Sequence, residues 1–260
     1  MAIQNFTNSS LVSYTKISPN KTSNRTHIID TITIHCVVGQ ASVEALGNLF
    51  SLSSTGASSN YGIGYDGRVG LYVEEKDRSW CSSSYSNDNR AITIEVASDT
   101  YHPYAVKDAA YDSLIKLVAD ICRRNNIKQL KWKADKNLVG QVDKQNMTVH
   151  RWFANKACPG DYLYKRHGDI AKRVNELLGV PDNIDVEIDH NKENQEDFVL
   201  GQEVKLISGA TYYDGRKMPS WLFNTKLYVR GISGENITIS TLSSGAITGI
   251  TKAKFLIPYN

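Results

Sequence analysis

The sequence predicts two bodies: an α/β domain in which helices pack a β-sheet, and after it a small all-β barrel. Three observations carry this. Strands with period-two alternation interleave with helical-period segments through residues 1–180. A polar, acidic stretch, 181–198, then interrupts the pattern. From 199 to 260 short β-branched and aromatic runs follow one another between Gly-containing turns, with no helical period.

The elements of the first body can be justified in order. "DTITIHC" places Ile32, Ile34 and Cys36 on one face of a strand and Thr33 and His35 on the other. "SVEALGNLFS" is a helix with Ser42 as its N-cap. "NYGIGYDGRVGLYV" is a hairpin from Tyr61 to Val73 with an Asp-Gly turn. "RAITIEV" repeats the first strand's alternation, with Ile92, Ile94 and Val96 opposed to Thr93 and Glu95. Each strand is expected to hold one face apolar and to end the other on a chemically able side chain, His35 or Glu95. "AVKDAAYDSLIKLVADICRRNN" is a helix whose Ala110, Leu114, Leu117, Val118 and Ile121 share a face. A last helix runs through "GDIAKRVNELLG" and stops at Gly179.

Charge and composition exclude several classes of function. With 41% apolar and 22% charged residues, the chain has an ordinary globular composition. The formal charge of +3 hides an acidic strip of seven carboxylates and one lysine between Asp182 and Asp197, flanked by two mildly basic bodies. That arrangement suits an anionic polymer as target. No Lys/Arg cluster or aromatic-basic alternation points to nucleic acid. No apolar run is long enough to span a bilayer, so no membrane insertion is expected. "MAIQNFTNSSLVSYTK" lacks the basic start and apolar core of a signal peptide, so synthesis in the cytoplasm is expected. Cys36, Cys81, Cys122 and Cys158 are widely spaced and are expected as reduced thiols, Cys36 and Cys122 in the core. His27, His102, His167 and His190 have no partner pattern and are expected at the surface.

The chemistry concentrates in "VHRWFANKACPGD", residues 149–161. His150 and Cys158 are two soft-metal ligands eight positions apart, and Lys156 lies two residues before the thiol. A catalytic Zn²⁺ wants three protein ligands and one open position, and His35 at a strand end is the best third. Glu95 would then carry protons and Lys156 would stabilise an oxyanion. Two other readings stay open: a thiol hydrolase with Cys158 as nucleophile and His150 as base, and coincidence, with Glu95 merely paired to Arg68 or Arg90.

"TITIHC", "NYGIGYDGRVG", "NRAITIEVA" and "HRWFANKACPGD", in this order, resemble the zinc-dependent N-acetylmuramoyl-L-alanine amidases of the type 2 amidase and peptidoglycan-recognition-protein superfamily, closest to those of clostridial genomes and their phages. The resemblance covers roughly residues 10 to 180. It implies a central mixed sheet flanked by helices, with Zn²⁺ held by His35, His150 and Cys158. It implies Glu95 as base and Lys156 as the group that steadies the tetrahedral intermediate. The implied reaction is hydrolysis of the amide between N-acetylmuramic acid and L-alanine of the stem peptide, with peptidoglycan and its anionic wall polymers as partners.

The chain also departs from the family pattern. Asn60-Tyr61 stands where many relatives have His-Tyr, and Ser59 where one branch has tyrosine. "DRSWCSSS" stands where relatives often carry Trp-His. Asn60 is expected to bond substrate and Trp80 to line a glycan subsite. The tail resembles the Src-homology-3-type barrels that lysins carry as wall-binding modules, with Tyr212, Tyr213, Trp221 and Tyr228 as the binding set. The resemblance thus implies a phage endolysin, with catalytic domain 1–180, linker 181–198 and wall-binding domain 199–260, reaching the wall once the membrane is permeabilised. A host autolysin or spore-germination amidase has the same chemistry, and a recognition protein that binds without cutting has the same fold.

Overall fold

A computed structural model describes residues 6–180, 198–233, 236–243 and 247–259. The described residues form two compact units, one within 1–184 and the other within 185–260. The expected linker, 181–198, lies outside the described residues except for Phe198, which is buried in the core of the second unit.

The first unit runs β1 (Val12–Thr15), β2 (Lys21–Thr22), β3 (Thr31–Cys36), α1 (Val43–Phe50), β4 (Tyr61–Ile63), β5 (Val69–Leu71), β6 (Arg78–Ser79), α2 (Tyr85–Arg90), β7 (Ala91–Val96), α3 (Asp108–Arg124), β8 (Met147–Thr148) and α4 (Gly160–Leu178). Six strands make one sheet in the order β1-β5-β4-β7-β3-β8, and β2 pairs with β6. Only β4 and β5 are antiparallel in the large sheet; its other pairings are parallel, so the sheet is mixed. Non-local parallel pairing thus sets β3 and β7 side by side in its interior.

Helices cover both sheet faces. Ile32, Ile34, Ile92 and Ile94 join Leu114, Leu117, Val118 and Ile121 of α3 and Leu163, Ile170 and Val174 of α4 in one core. On the other face α1 approaches so closely that a Cβ at Gly62 would stand 2.6 Å from the Tyr72 ring and 2.9 Å from Leu46. Ser42 caps α1 as expected, its side chain accepting from the Ala45 amide. The polar face is covered as well as the apolar one: all six residues of β3 are buried, and in β7 only Glu95 keeps partial exposure. The reason is that Thr33 is not solvated: its hydroxyl meets Thr148 at 2.7 Å and accepts from Asn87 Nδ2 at 3.0 Å.

One helical boundary differs from expectation, and one short helix is unexpected. The last helix starts at Gly160, eight residues before the "GDIAKR" run, and Gly179 ends it with φ +73°. Its extra turns place His167 on the buried stripe between Leu163 and Ile170, so His167 is not a surface residue but fully buried, with its ring 4.5 Å from that of Trp132. The short α2 has no apolar period to announce it; Ser84 caps it.

The second unit contains β9 (Glu203–Leu206), β10 (Leu227–Ser233), β11 (Asn236–Ser240), β12 (Gly249–Lys252) and β13 (Leu256–Pro258). They form one antiparallel sheet, order β12-β11-β10-β9-β13, over a core that includes Val204, Leu222, Leu227, Val229 and Ile239. The all-β expectation for the tail matches this sheet.

Candidate metal centre

Three elements end together at the carboxyl edge of the large sheet. β3 brings His35, its parallel neighbour β7 brings Glu95 in register with it, and β8 leads directly into a single 3₁₀ turn carrying His150. The following loop folds back because the Arg151 amide donates to the Cys158 carbonyl at 3.1 Å, while the Arg151 guanidinium holds the Ala157 carbonyl and Asp161. Gly160 closes the loop at φ +77°, where a Cβ would lie 2.8 Å from that of Tyr104. Cys158 is thereby returned to β3.

The donor atoms converge. Cys158 Sγ lies 3.3 Å from His35 Nδ1. The His35 and His150 rings are 5.1 Å apart at 60°, and ligand atoms of His35, His150 and Cys158 all lie within 4.8 Å of one another. Glu95 Oε1 is 4.0 Å from His35 Nδ1. A second group, His35, Cys81 and Glu95, meets the same distance criterion.

The electrostatics favour a cation. Burial, then the neighbouring His150 and His167, push His35 down to about 3, so it is a neutral ring with a lone pair to give. Burial and the positive charge of Lys156 lower His150 as well. The Cys158 thiol is held well above its ordinary range by its contact with Cys36, by burial and by Glu95. Two neutral imidazoles with lone pairs to give and a thiol kept protonated by its surroundings are a donor set that a divalent ion can use, ionising the thiol as it binds. Donors this close together could share one ion. The two-nitrogen, one-sulfur set therefore suits Zn²⁺.

Glu95 is pushed up to about 7 by burial, partly offset by the thiol of Cys81, which donates to Oε1 at 3.9 Å. Its Oε2 is buried and has no hydrogen-bond partner among the described residues. The alternative pairings with Arg68 and Arg90 do not form, because Arg68 binds Glu44 and Asp66 and Arg90 binds Asp30. Lys156 is exposed, and among the described residues its ammonium group has no hydrogen-bond or ion-pair partner. Cys36 and Cys122 are buried as expected.

Asn60 requires a correction. It is fully buried, its Nδ2 donates to the Val73 carbonyl at 3.2 Å, and its Oδ1 accepts from the Thr93 amide at 3.2 Å. It ties β4 and β7 together and offers nothing to a ligand. Trp80 is 37% exposed and its Nε1 donates to Thr22 Oγ1 at 3.0 Å. In the second unit Tyr213 and Trp221 are each 56% exposed. Tyr212 and Tyr228 are half-buried, Tyr212 packing on the core, and no ring contact joins the four among the described residues.

Sequence reasoning missed Cys81 as the donor to Glu95 and Ser83, whose Oγ lies 3.1 Å from His150 Nε2. The run "CSSS" carries no periodicity that could have revealed either. His167 could have been found, since Leu163, His167, Ile170 and Val174 keep a helical stripe.

Residues 24–161 match the family model described as N-acetylmuramoyl-L-alanine amidase. No curated protein matches the chain. Among solved structures, PlyL is 15% identical with a TM-score of 0.45, over 62% of this chain and 95% of its own. A selenomethionine derivative of AmpD is 19% identical with a TM-score of 0.46, over 65% and 99%. The amidase LysC from Clostridium intestinale URNW is 16% identical with a TM-score of 0.41, over 65% and 96%.

Proposed function

The chain belongs to the N-acetylmuramoyl-L-alanine amidase family, within the type 2 amidase and peptidoglycan-recognition superfamily, and on that premise we propose that it is a zinc-dependent peptidoglycan hydrolase. The bond cleaved is the amide between the lactyl group of N-acetylmuramic acid and L-alanine. The observation that carries this reading is the convergence of His35, His150 and Cys158 beside a carboxyl group that titrates near neutrality.

In this reading His35, His150 and Cys158 would hold the ion, which when bound would supply Lewis acidity toward the scissile carbonyl and acidity to water. Glu95 takes the proton of the attacking water and returns it to the departing amide nitrogen. A carboxyl poised near 7 can do both at neutral pH. The ammonium group of Lys156, free of any carboxylate among the described residues, meets the developing oxyanion. Trp80, half-open beside Cys81, offers a sugar a flat apolar face.

The second unit is proposed to be a Src-homology-3-like barrel that binds the wall through Tyr212, Tyr213, Trp221 and Tyr228, of which Tyr213 and Trp221 are exposed and the other two half-buried. It raises the concentration of the catalytic unit at its polymer. The boundaries proposed are 1–180, 181–198 and 199–260. Among the described residues no helix is long and apolar enough to cross a membrane. The biological setting proposed is a phage endolysin of clostridial type, made in the cytoplasm and admitted to the wall after permeabilisation.

Digestion of purified walls followed by mass spectrometry tests the reaction. New L-alanine N-termini without new reducing ends, lost with chelator and restored by zinc, are expected. Binding without release would make the chain a recognition protein. Activity that survives chelation and dies on thiol alkylation would make it a thiol hydrolase.

A further inference from the structure

Opposite the ligand loop lies a second segment, residues 80–84, whose placement is over-determined. Asp88 of α2 is buried, and its carboxylate accepts from the Cys81 amide at 3.0 Å, from the Ser82 amide at 3.1 Å and from the Ser82 hydroxyl. The next-door Asn87 donates to Ser82 Oγ at 3.1 Å and to Thr33 Oγ1 at 3.0 Å, and accepts from Thr148 Oγ1 at 2.9 Å. Thr33 is two residues before His35 and Thr148 two before His150, so one buried polar cluster fixes the segment to both ligand-bearing strands. Ser84 then caps α2. Between these anchors Ser83 is held at φ +61°, a left-handed conformation that a serine does not adopt without constraint. Its hydroxyl is delivered to within 3.1 Å of His150 Nε2.

We propose that Ser83 is a positioning residue for His150: its hydroxyl accepts the Nε2–H, which fixes the tautomer and leaves Nδ1 as the ring's remaining donor to the ion. An imidazole that ligates through one nitrogen is aimed by the bond its other nitrogen makes, and loss of such a partner weakens metal binding about 10–100-fold. The proposal rests on the reading of His150 as a ligand. His35 needs no such tether, because its ring is locked by complete burial, whereas His150 sits on a half-open turn. The backbone strain at Ser83 is the cost of bringing a hydroxyl to this point.

The test is zinc affinity of the full chain, measured by competition with a chromogenic chelator, for wild type, Ser83→Gly and Ser83→Ala. Glycine relieves the left-handed strain while removing the hydroxyl, so a purely structural role and a positioning role move in opposite directions. The metal-free Ser83→Gly protein is expected to unfold at the same temperature as wild type or higher, yet to bind zinc at least about tenfold more weakly. Ser83→Ala gives the same loss of affinity without the relief. Zinc binding by Ser83→Gly within about twofold of a zinc-binding wild type overturns the proposal alone. A wild type that binds no zinc overturns the ligand reading and this proposal with it.

Discussion

His35 and Glu95 stand directly opposite each other on the adjacent parallel strands β3 and β7, Nδ1 of one 4.0 Å from Oε1 of the other. Parallel register thus couples a metal-ligand candidate to a proton carrier without any loop between them. Glu95→Gln keeps the shape and removes the proton acceptor. We expect kcat to fall by about 10²–10⁴ while zinc content stays that of wild type, measured on the same preparations. Loss of zinc together with activity would make Glu95 a ligand.

The same carboxyl predicts a pH-dependent stability. Its folded value, about 7, lies above the ordinary 4.5, so the metal-free folded protein holds a proton that the unfolded chain releases between those values. Stability present below pH 4.5 is therefore lost as pH rises through 7. Glu95→Gln has no such loss, so its stability advantage over wild type should grow across this window. A displacement from 4.5 to about 7 amounts to roughly 3 kcal/mol at most, since 18% of the side chain remains exposed. Chemical denaturation of the metal-free proteins at pH 4.5 and 8 measures it; a constant difference contradicts it.

Glu75 is completely buried and is held by Arg124 Nη2 at 2.7 Å, the Tyr61 hydroxyl at 2.7 Å and Asn125 Nδ2 at 2.9 Å. Arg124→Met leaves that carboxylate without its cation. A loss of about 3–5 kcal/mol in urea unfolding is expected, with kcat/KM of the folded fraction unchanged. A loss under about 1 kcal/mol would show that the neutral donors suffice.

In the second unit, Tyr213→Ala with Trp221→Ala removes two half-exposed rings that serve no core. Retention on purified walls should fall roughly tenfold or more, while cleavage of a soluble muropeptide stays within about twofold. Equal losses in both assays would place these rings in folding instead.

Much of this was legible because it is local. Alternation in "TITIHC" and "AITIEV" puts His35 and Glu95 at strand ends, and "HRWFANKACPGD" keeps His150, Lys156 and Cys158 within nine positions. What alternation cannot show is which strands become neighbours, so neither the His35–Glu95 register nor burial of both faces of β3 followed from it. The burial of Asn60 is illegible for the same reason: its hydrogen-bond partners include Val73 and Thr93, on separate segments that only the folded sheet brings to it. Ser83 and Cys81 act through a turn whose shape is dictated by Asp88, and no propensity of "CSSS" encodes that. The sequence places His167 at the surface for a different cause: a helix begun at Gly168 rather than Gly160 leaves it outside the stripe that explains it.

The central claim is that one cation is gripped jointly by His35, His150 and Cys158. Elemental analysis of the purified full chain beside Cys158→Ser, both shown to be folded by circular dichroism, tests it most directly. Roughly one zinc per wild-type chain and close to none in the variant is the predicted result. A wild type without zinc, or a Cys158→Ser protein that keeps its full complement, would contradict it.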